Sequence, residues 1–227
     1  MIPFRPMKHA ILAAACLVLA ASLSSPAPAQ PKAEPDPSAN SPAASSFVAD
    51  ICRTLAQAAA DNDLIVTSGG VSVGEEDHVK PAVQALGALA LWQIGMKPGK
   101  PFAYGHVRRE TAAGMAHFVG LPGNPVSSFM TFLLLVKPLI LALQGAEPAA
   151  PVCMTLPAHF DLPKADKRRE FLRVRRNAQG GLDLFPNQSS GVLTSVVWGD
   201  GVVDNPAGHT IARGDSVNFW PFAEWLS

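Results

Sequence analysis

The period of apolar and polar positions changes several times after Phe47. In "FVADICRTLAQAAADN", Val48, Ile51, Leu55 and Ala58 or Ala59 recur at helical spacing. "DLIVTS" then runs apolar without a break and predicts a short buried strand. A helix is expected from near Glu75 or Glu76 through "HVKPAVQAL", because carboxylates favour a helix N-terminus. Pro81 fits only its first turns, and Gly87 should stop it. "LALWQIG", "FAYGHV" and "AHFVGL" read as strands, with "MKPGKP" a tight turn and "TAAGM" a hairpin turn. "PGNP" launches "VSSFMTFLLLVKPLILALQG", a helix with Asn124 as N-cap and Pro125 at N1. Pro138 should kink it. Its apolar residues cover nearly every face, so it should be buried or lie at a subunit interface. Lys137 and the length argue against a membrane span.

Strands alternating with helices predict an α/β layer with a mainly parallel sheet over residues 47–147. "GAEPAAP" marks a boundary. From 148 to 227, short runs such as "VCMTLPAHF", "REFLRVRR", "LDLFPN" and "DSVNFWPF" alternate with turn residues. They predict a small all-β domain, a barrel or sandwich, with no helix. Residues 1–29 have a different character. Arg5 and Lys8 precede an apolar run from Ala10 to Leu23, and "APA" follows as a small-residue cleavage site. This reads as an export leader, with 30–46 a Pro/Ala/Ser-rich disordered linker.

Charge narrows the partners. Lys plus Arg and Asp plus Glu number 18 each, so no net field draws the chain to nucleic acid or a membrane surface. An anion site has to be built locally. Cys16, Cys52 and Cys153 form neither a disulfide framework nor a zinc site and are expected to be small buried thiols. The scattered histidines show no metal-ligand spacing, and the dinucleotide and P-loop signatures are absent.

Three loops carry the candidate chemistry. "TSGGVSVGEED" and "GLPGNP" each lead from a strand into a helix, so both should lie at the carboxyl edge of the sheet, where open α/β sheets bind ligands. Gly69, Gly70 and Gly74 let backbone amides approach an oxyanion, and Ser68 and Ser72 add hydroxyl donors. Pro122, Gly123 and Asn124 complete the second turn. Glu75, Glu76 and Asp77 would repel a bare phosphate and suit a bridging divalent cation, or are first-turn charges facing water. "KPGKP" sets Lys97 and Lys100 on a stiff turn, as point charges for a phosphate or similar oxyanion or as a solvated surface turn.

"DLIVTSGGVSVGEEDHVK", "MKPGKPFAYG" and "GLPGNPVSSFMTFLLLVKPLILALQG" resemble the molybdopterin molybdenumtransferase family, which includes the E domain of gephyrin. "RREFLRVRR" and "NQSSGVLTSVVWGDGVV" resemble segments of that family's final β-barrel domain. The resemblance implies a partial molybdopterin-binding α/β domain followed by a small all-β barrel. It implies insertion of molybdate into adenylylated molybdopterin with release of AMP, assisted by Mg²⁺. Asp77 matches the family's functional acid and metal group, Lys97 and Lys100 its loop lysines, and Ser190 a substrate contact. A homodimer, a molybdopterin adenylyltransferase partner and a cytoplasmic location are also implied. The alternatives are a non-catalytic pterin-binding fragment, an adenylyltransferase-like domain and, from the leader, an exported protein. Val71-Ser72-Val73-Gly74 stands where the adenylyltransferases usually carry Thr-Gly. The family's earlier domains and a further acid-bearing loop have no counterpart here, so a truncated or fused gene is expected.

Overall fold

A computed structural model describes residues 42–71, 78–109, 114–147 and 152–226. The expected export leader and most of the expected linker lie outside these residues, as do Ser72, Gly74, Glu75, Glu76 and Asp77. The first helix, α1 (Pro42–Asp61), starts inside the segment expected to be linker. It buries Leu55 and Ala59 against the first sheet. The strand β1 (Leu64–Ser68) follows, then α2 (Val79–Leu86) and β2 (Gly87–Gln93). Gly87 ends α2 for a reason other than a left-handed cap. Its φ is −170°, an extended value, and a Cβ there would collide with the carbonyl of His106 on the next strand. Close backbone approach is what demands glycine.

β3 (Met96–Lys97), β4 (Pro101–Arg108) and β5 (Met115–Leu121) complete the first half. The first sheet has the order β1-β5-β4-β2. Only β1 and β5 are parallel; β5–β4 and β4–β2 are antiparallel. The expected mainly parallel sheet is therefore mixed. The short links between β2, β4 and β5 cannot make the crossover that a parallel pair needs.

The helix launched by "PGNP" runs as α3 (Pro125–Thr131), a π-helical turn (Phe132–Val136) and α4 (Lys137–Leu143). Pro138 has no N–H to donate one turn back, and the wider turn absorbs that defect. The amide of Lys137 accordingly donates to the carbonyl of Phe132. This 19-residue stretch is long and apolar enough to cross a membrane, with mean hydropathy 2.1, yet Val126, Met130, Leu133 and Val136 face the protein core.

The second half contains β6 (Met154–Pro157), β7 (Arg169–Arg176), β8 (Leu182–Leu184), β9 (Gly201–Asn205) and β10 (Ser216–Pro221). It also holds two short helices that the turn-rich pattern concealed, α5 (Thr194–Trp198) and α6 (Phe222–Leu226). The sheet runs β3-β7-β9-β10-β6, and β8 also pairs with β7. Among the described residues no ladder closes it into the expected barrel. Its ends meet at a single bridge, Ala158 to Leu182, reinforced by the His159 amide donating to Leu182 O at 2.8 Å.

The two halves are stitched together. β3 belongs to the first half in sequence but pairs in parallel with Arg169 and Glu170 of β7. Met96, Val126, Met130 and Leu133 share one core with Phe171, Val202, Phe222 and Trp225. Lys137 Nζ donates to the Trp225 carbonyl. The cysteine expectation is corrected as well: Cys52 is half-buried and Cys153 is exposed.

Candidate functional site

Parallel pairing of β1 with β5 sets Ser68 opposite Leu121. Both strands therefore end at one edge, and the turns that follow them are neighbours. The Gly69 amide donates to Leu121 O at 2.9 Å, and a Cβ on Gly123 would lie 3.7 Å from Gly69 Cα. Gly69 and Gly70 have φ of 84° and 70°, in the left-handed region that other residues enter at a cost. At Gly69 no described atom lies within 4 Å of where a Cβ would stand. Ser68 and Gly70 are exposed, and so are Gly123 and Asn124, whereas Pro122 is buried. Val71 closes the floor of the turn at 1% exposure and occupies the space a side chain at Gly120 would need. Just behind it, Thr67 Oγ1 is buried with no hydrogen-bond partner among the described residues.

Asn124 is the N-cap of α3, as expected. It caps through its backbone: its carbonyl accepts the Ser128 amide at 2.9 Å, and its side chain makes no capping bond. Ser128 Oγ donates to Pro122 O and ties the turn to the helix. The next helical amide, on Val126, donates to Ser190 O at 3.0 Å. The half-buried Ser190 is thus brought to the same edge through its main chain.

Behind that segment lies a residue that sequence reasoning passed over. Arg173 is 1% exposed. Its guanidinium donates to Ser195 Oγ at 3.1 Å, Phe171 O at 3.2 Å and Ser189 O at 3.3 Å. These acceptors are all neutral, and burial pushes its pKa down to about 10. Gln188 bridges the Arg173 amide and carbonyl at 2.9 and 3.0 Å, fixing the loop above. A buried arginine in "EFLRVRR" is hard to read from sequence, because the adjacent Arg175 and Arg176 look the same.

The two loop lysines part company. Lys100 is exposed. Lys97 Nζ lies 2.9 Å from Glu170 Oε1 and 3.1 Å from Asp166 Oδ2, so it is paired with two acids of the second half. Burial lowers its pKa, but the hydrogen bonds and charges of Glu170 and Asp166 outweigh that and raise it. Among the described residues no three His, Cys, Asp or Glu side chains converge as a metal cage. The acids that the sequence assigns to Mg²⁺ lie outside those residues, so the described donor set does not by itself fit a Mg²⁺ ion.

Residues 47–142 match the family described as "Probable molybdopterin binding domain", and residues 155–222 match the "MoeA C-terminal region (domain IV)". The chain belongs to the molybdopterin molybdenumtransferase family. It is 38% identical over 171 residues to a molybdopterin molybdenumtransferase of Haemophilus influenzae, covering 72% of this chain and 41% of that protein. It is 36% identical over 102 residues to a gephyrin of Dictyostelium discoideum, covering 40% of this chain and 14% of that one. The crystal structure of a molybdopterin biosynthesis protein from Pyrococcus horikosii superposes with a TM-score of 0.59 at 27% identity, over 78% of this chain and 40% of that one. The chain thus spans about two fifths of the length of the molybdenumtransferases it matches.

Proposed function

We propose that this chain acts in molybdenum cofactor biosynthesis by holding adenylylated molybdopterin at the edge formed by Gly69–Gly70 and Pro122–Gly123–Asn124, where molybdate is inserted and AMP released. The observation that carries this reading is the contact between two glycine-bearing turns at the carboxyl ends of parallel strands. A phosphate needs close backbone approach, and a side chain at Gly69 would occupy that approach. Ser68, exposed at the end of β1, is assigned the role of a hydroxyl donor at the same edge. Lys100 is the loop cation facing solvent and is assigned the oxyanion. Lys97, held by Glu170 and Asp166, is assigned the positioning of that loop. Ser190 acts by fixing the start of α3, and Arg173 supports it from below. Ser72, Gly74 and Asp77 complete the proposed site from outside the described residues, with Asp77 as the acid that a cation would require. Assembly as a homodimer, an adenylyltransferase partner and a cytoplasmic location belong to the same proposal.

The alternative of a pterin-binding chain without turnover is favoured by one observation: Lys97, one of the two loop lysines, is paired with Glu170 and Asp166. One experiment separates the two readings. Purified chain is incubated with adenylylated molybdopterin, molybdate and Mg²⁺, and AMP is measured alongside pterin retention. Release of AMP at a rate proportional to protein supports the enzyme. Retention of pterin without AMP supports the binding chain. Neither would overturn both.

A further inference from the structure

The antiparallel register of β4 and β5 sets His106 directly opposite His117, on the sheet face that also carries Tyr104. The tyrosine hydroxyl oxygen lies 2.9 Å from His117 Nδ1 and 3.3 Å from His106 Nε2. The two imidazole centroids are 5.0 Å apart, so both rings aim a nitrogen at one oxygen. All three side chains are half-buried and still reachable from solvent.

We infer that Tyr104, His106 and His117 form a binding site for a borderline divalent transition metal, of the Zn²⁺ or Cu²⁺ type. A tetrahedral centre with bonds of about 2.0–2.1 Å has ligand atoms about 3.3 Å apart. Two of the three donor edges, at 2.9 and 3.3 Å, are close to this value, so side-chain rotation without a change of strand register brings the three atoms around an ion. The donor set also selects the metal. Two imidazoles and a phenol oxygen suit Zn²⁺ and Cu²⁺, whereas Mg²⁺ takes oxygen ligands. On binding, the Tyr104 proton is released to solvent and the phenolate coordinates. Water fills the fourth position, because the nearby Asp63 carboxylate is engaged by Arg109 at 2.6 Å. His117 is paired with Leu64, at the opposite end of β1 and β5 from Ser68 and Leu121. That places the metal roughly 13 Å from the proposed pterin edge, taking about 3.3 Å per strand residue.

Tyr104 is the single tyrosine of the chain, which makes the test specific. Chelator-treated full chain is titrated with Zn²⁺ by calorimetry and with Cu²⁺ by visible absorption. One metal per chain is expected, and the Cu²⁺ form should show a phenolate-to-copper charge-transfer band. His106→Gln with His117→Gln should weaken Zn²⁺ binding by on the order of 100-fold. Tyr104→Phe should abolish the band while the histidines still bind Cu²⁺. If the double histidine variant fails to fold, judged by its melting curve, the loss of the band in Tyr104→Phe still decides the question. No stoichiometric binding by the parent would overturn the assignment. So would binding that survives the double variant and disappears in Cys153→Ser, since that places the metal on the exposed thiol.

Discussion

Replacing Lys97 with Met tests whether this lysine holds the two halves of the molecule together. Lys97 Nζ is 2.9 Å from Glu170, which is only 3% exposed and whose Oε2 has no hydrogen-bond partner among the described residues. Asp166 keeps Arg168 when the lysine is lost, through two hydrogen bonds of 2.9 Å to its side chain. Glu170 loses its ion-pair partner. Breaking a fully buried pair costs about 3–5 kcal/mol, and an exposed pair contributes about 0–1 kcal/mol. The Lys97 side chain is 40% exposed, so water screens part of the interaction. A cost of about 1–3 kcal/mol follows. For a domain of this size that lowers the melting temperature by about 3–10 °C. The assay is thermal unfolding followed by circular dichroism for the parent, Lys97→Met, Glu170→Gln and the double variant. Glu170→Gln removes the stranded charge, so the double variant should recover most of the loss, with a coupling energy of about 1 kcal/mol or more. A Lys97→Met variant that melts with the parent, or strictly additive effects, would refute the clamp and return Lys97 to the oxyanion.

Acid should loosen the same junction. Hydrogen bonds from Arg168 first, against the opposing effect of burial, and then Lys97 hold the Asp166 carboxyl well below the usual carboxylate range. Its folded pKa is lower than its unfolded one, so its stabilisation is present above about pH 3.8 and lost as pH falls below that value. Urea unfolding between pH 5 and 2 (about the range spanned by such groups) should show this slope, and Asp166→Asn should flatten it. Lys97 has the opposite sign: its raised pKa makes its contribution persist through neutral pH and fade as pH rises above the ordinary lysine value. Gly120→Ala should also destabilise, by about 1–3 kcal/mol. Its Cβ would displace Val71, the floor of the Gly69–Gly70 turn, so pterin binding should weaken with stability, as denaturant titration beside a binding isotherm would report.

Elements whose cause is local were legible in the sequence. "DLIVTS" is an uninterrupted apolar run and forms β1, and Asn124-Pro125 starts its helix where N-cap and N1 chemistry put it. The shared edge of the two glycine turns followed from strand-to-helix order alone. The rest depends on pairings between segments far apart in the chain. Nothing near Met96 and Lys97 signals a strand in the second sheet, because its partners are Arg169 and Glu170. "KPGKP" offers two cations to an oxyanion or to water, and only the fold brings Glu170 to one of them. His106 and His117 showed no ligand spacing because the β4–β5 register, not a helical repeat, places them face to face. Helices α5 and α6 have five residues each, too short to show a period.

The central claim is that adjoining backbone turns grip the phosphate of a pterin nucleotide. The direct measurement is a calorimetric titration of adenylylated molybdopterin into the parent chain and into Gly69→Ala, each with its denaturation midpoint determined. The methyl group meets no described atom within 4 Å and costs about 1 kcal/mol through its left-handed backbone. The account predicts a folded Gly69→Ala protein whose affinity for the nucleotide falls by about tenfold or more, because the methyl stands where the phosphate approaches. Equal affinity in the two proteins would contradict it.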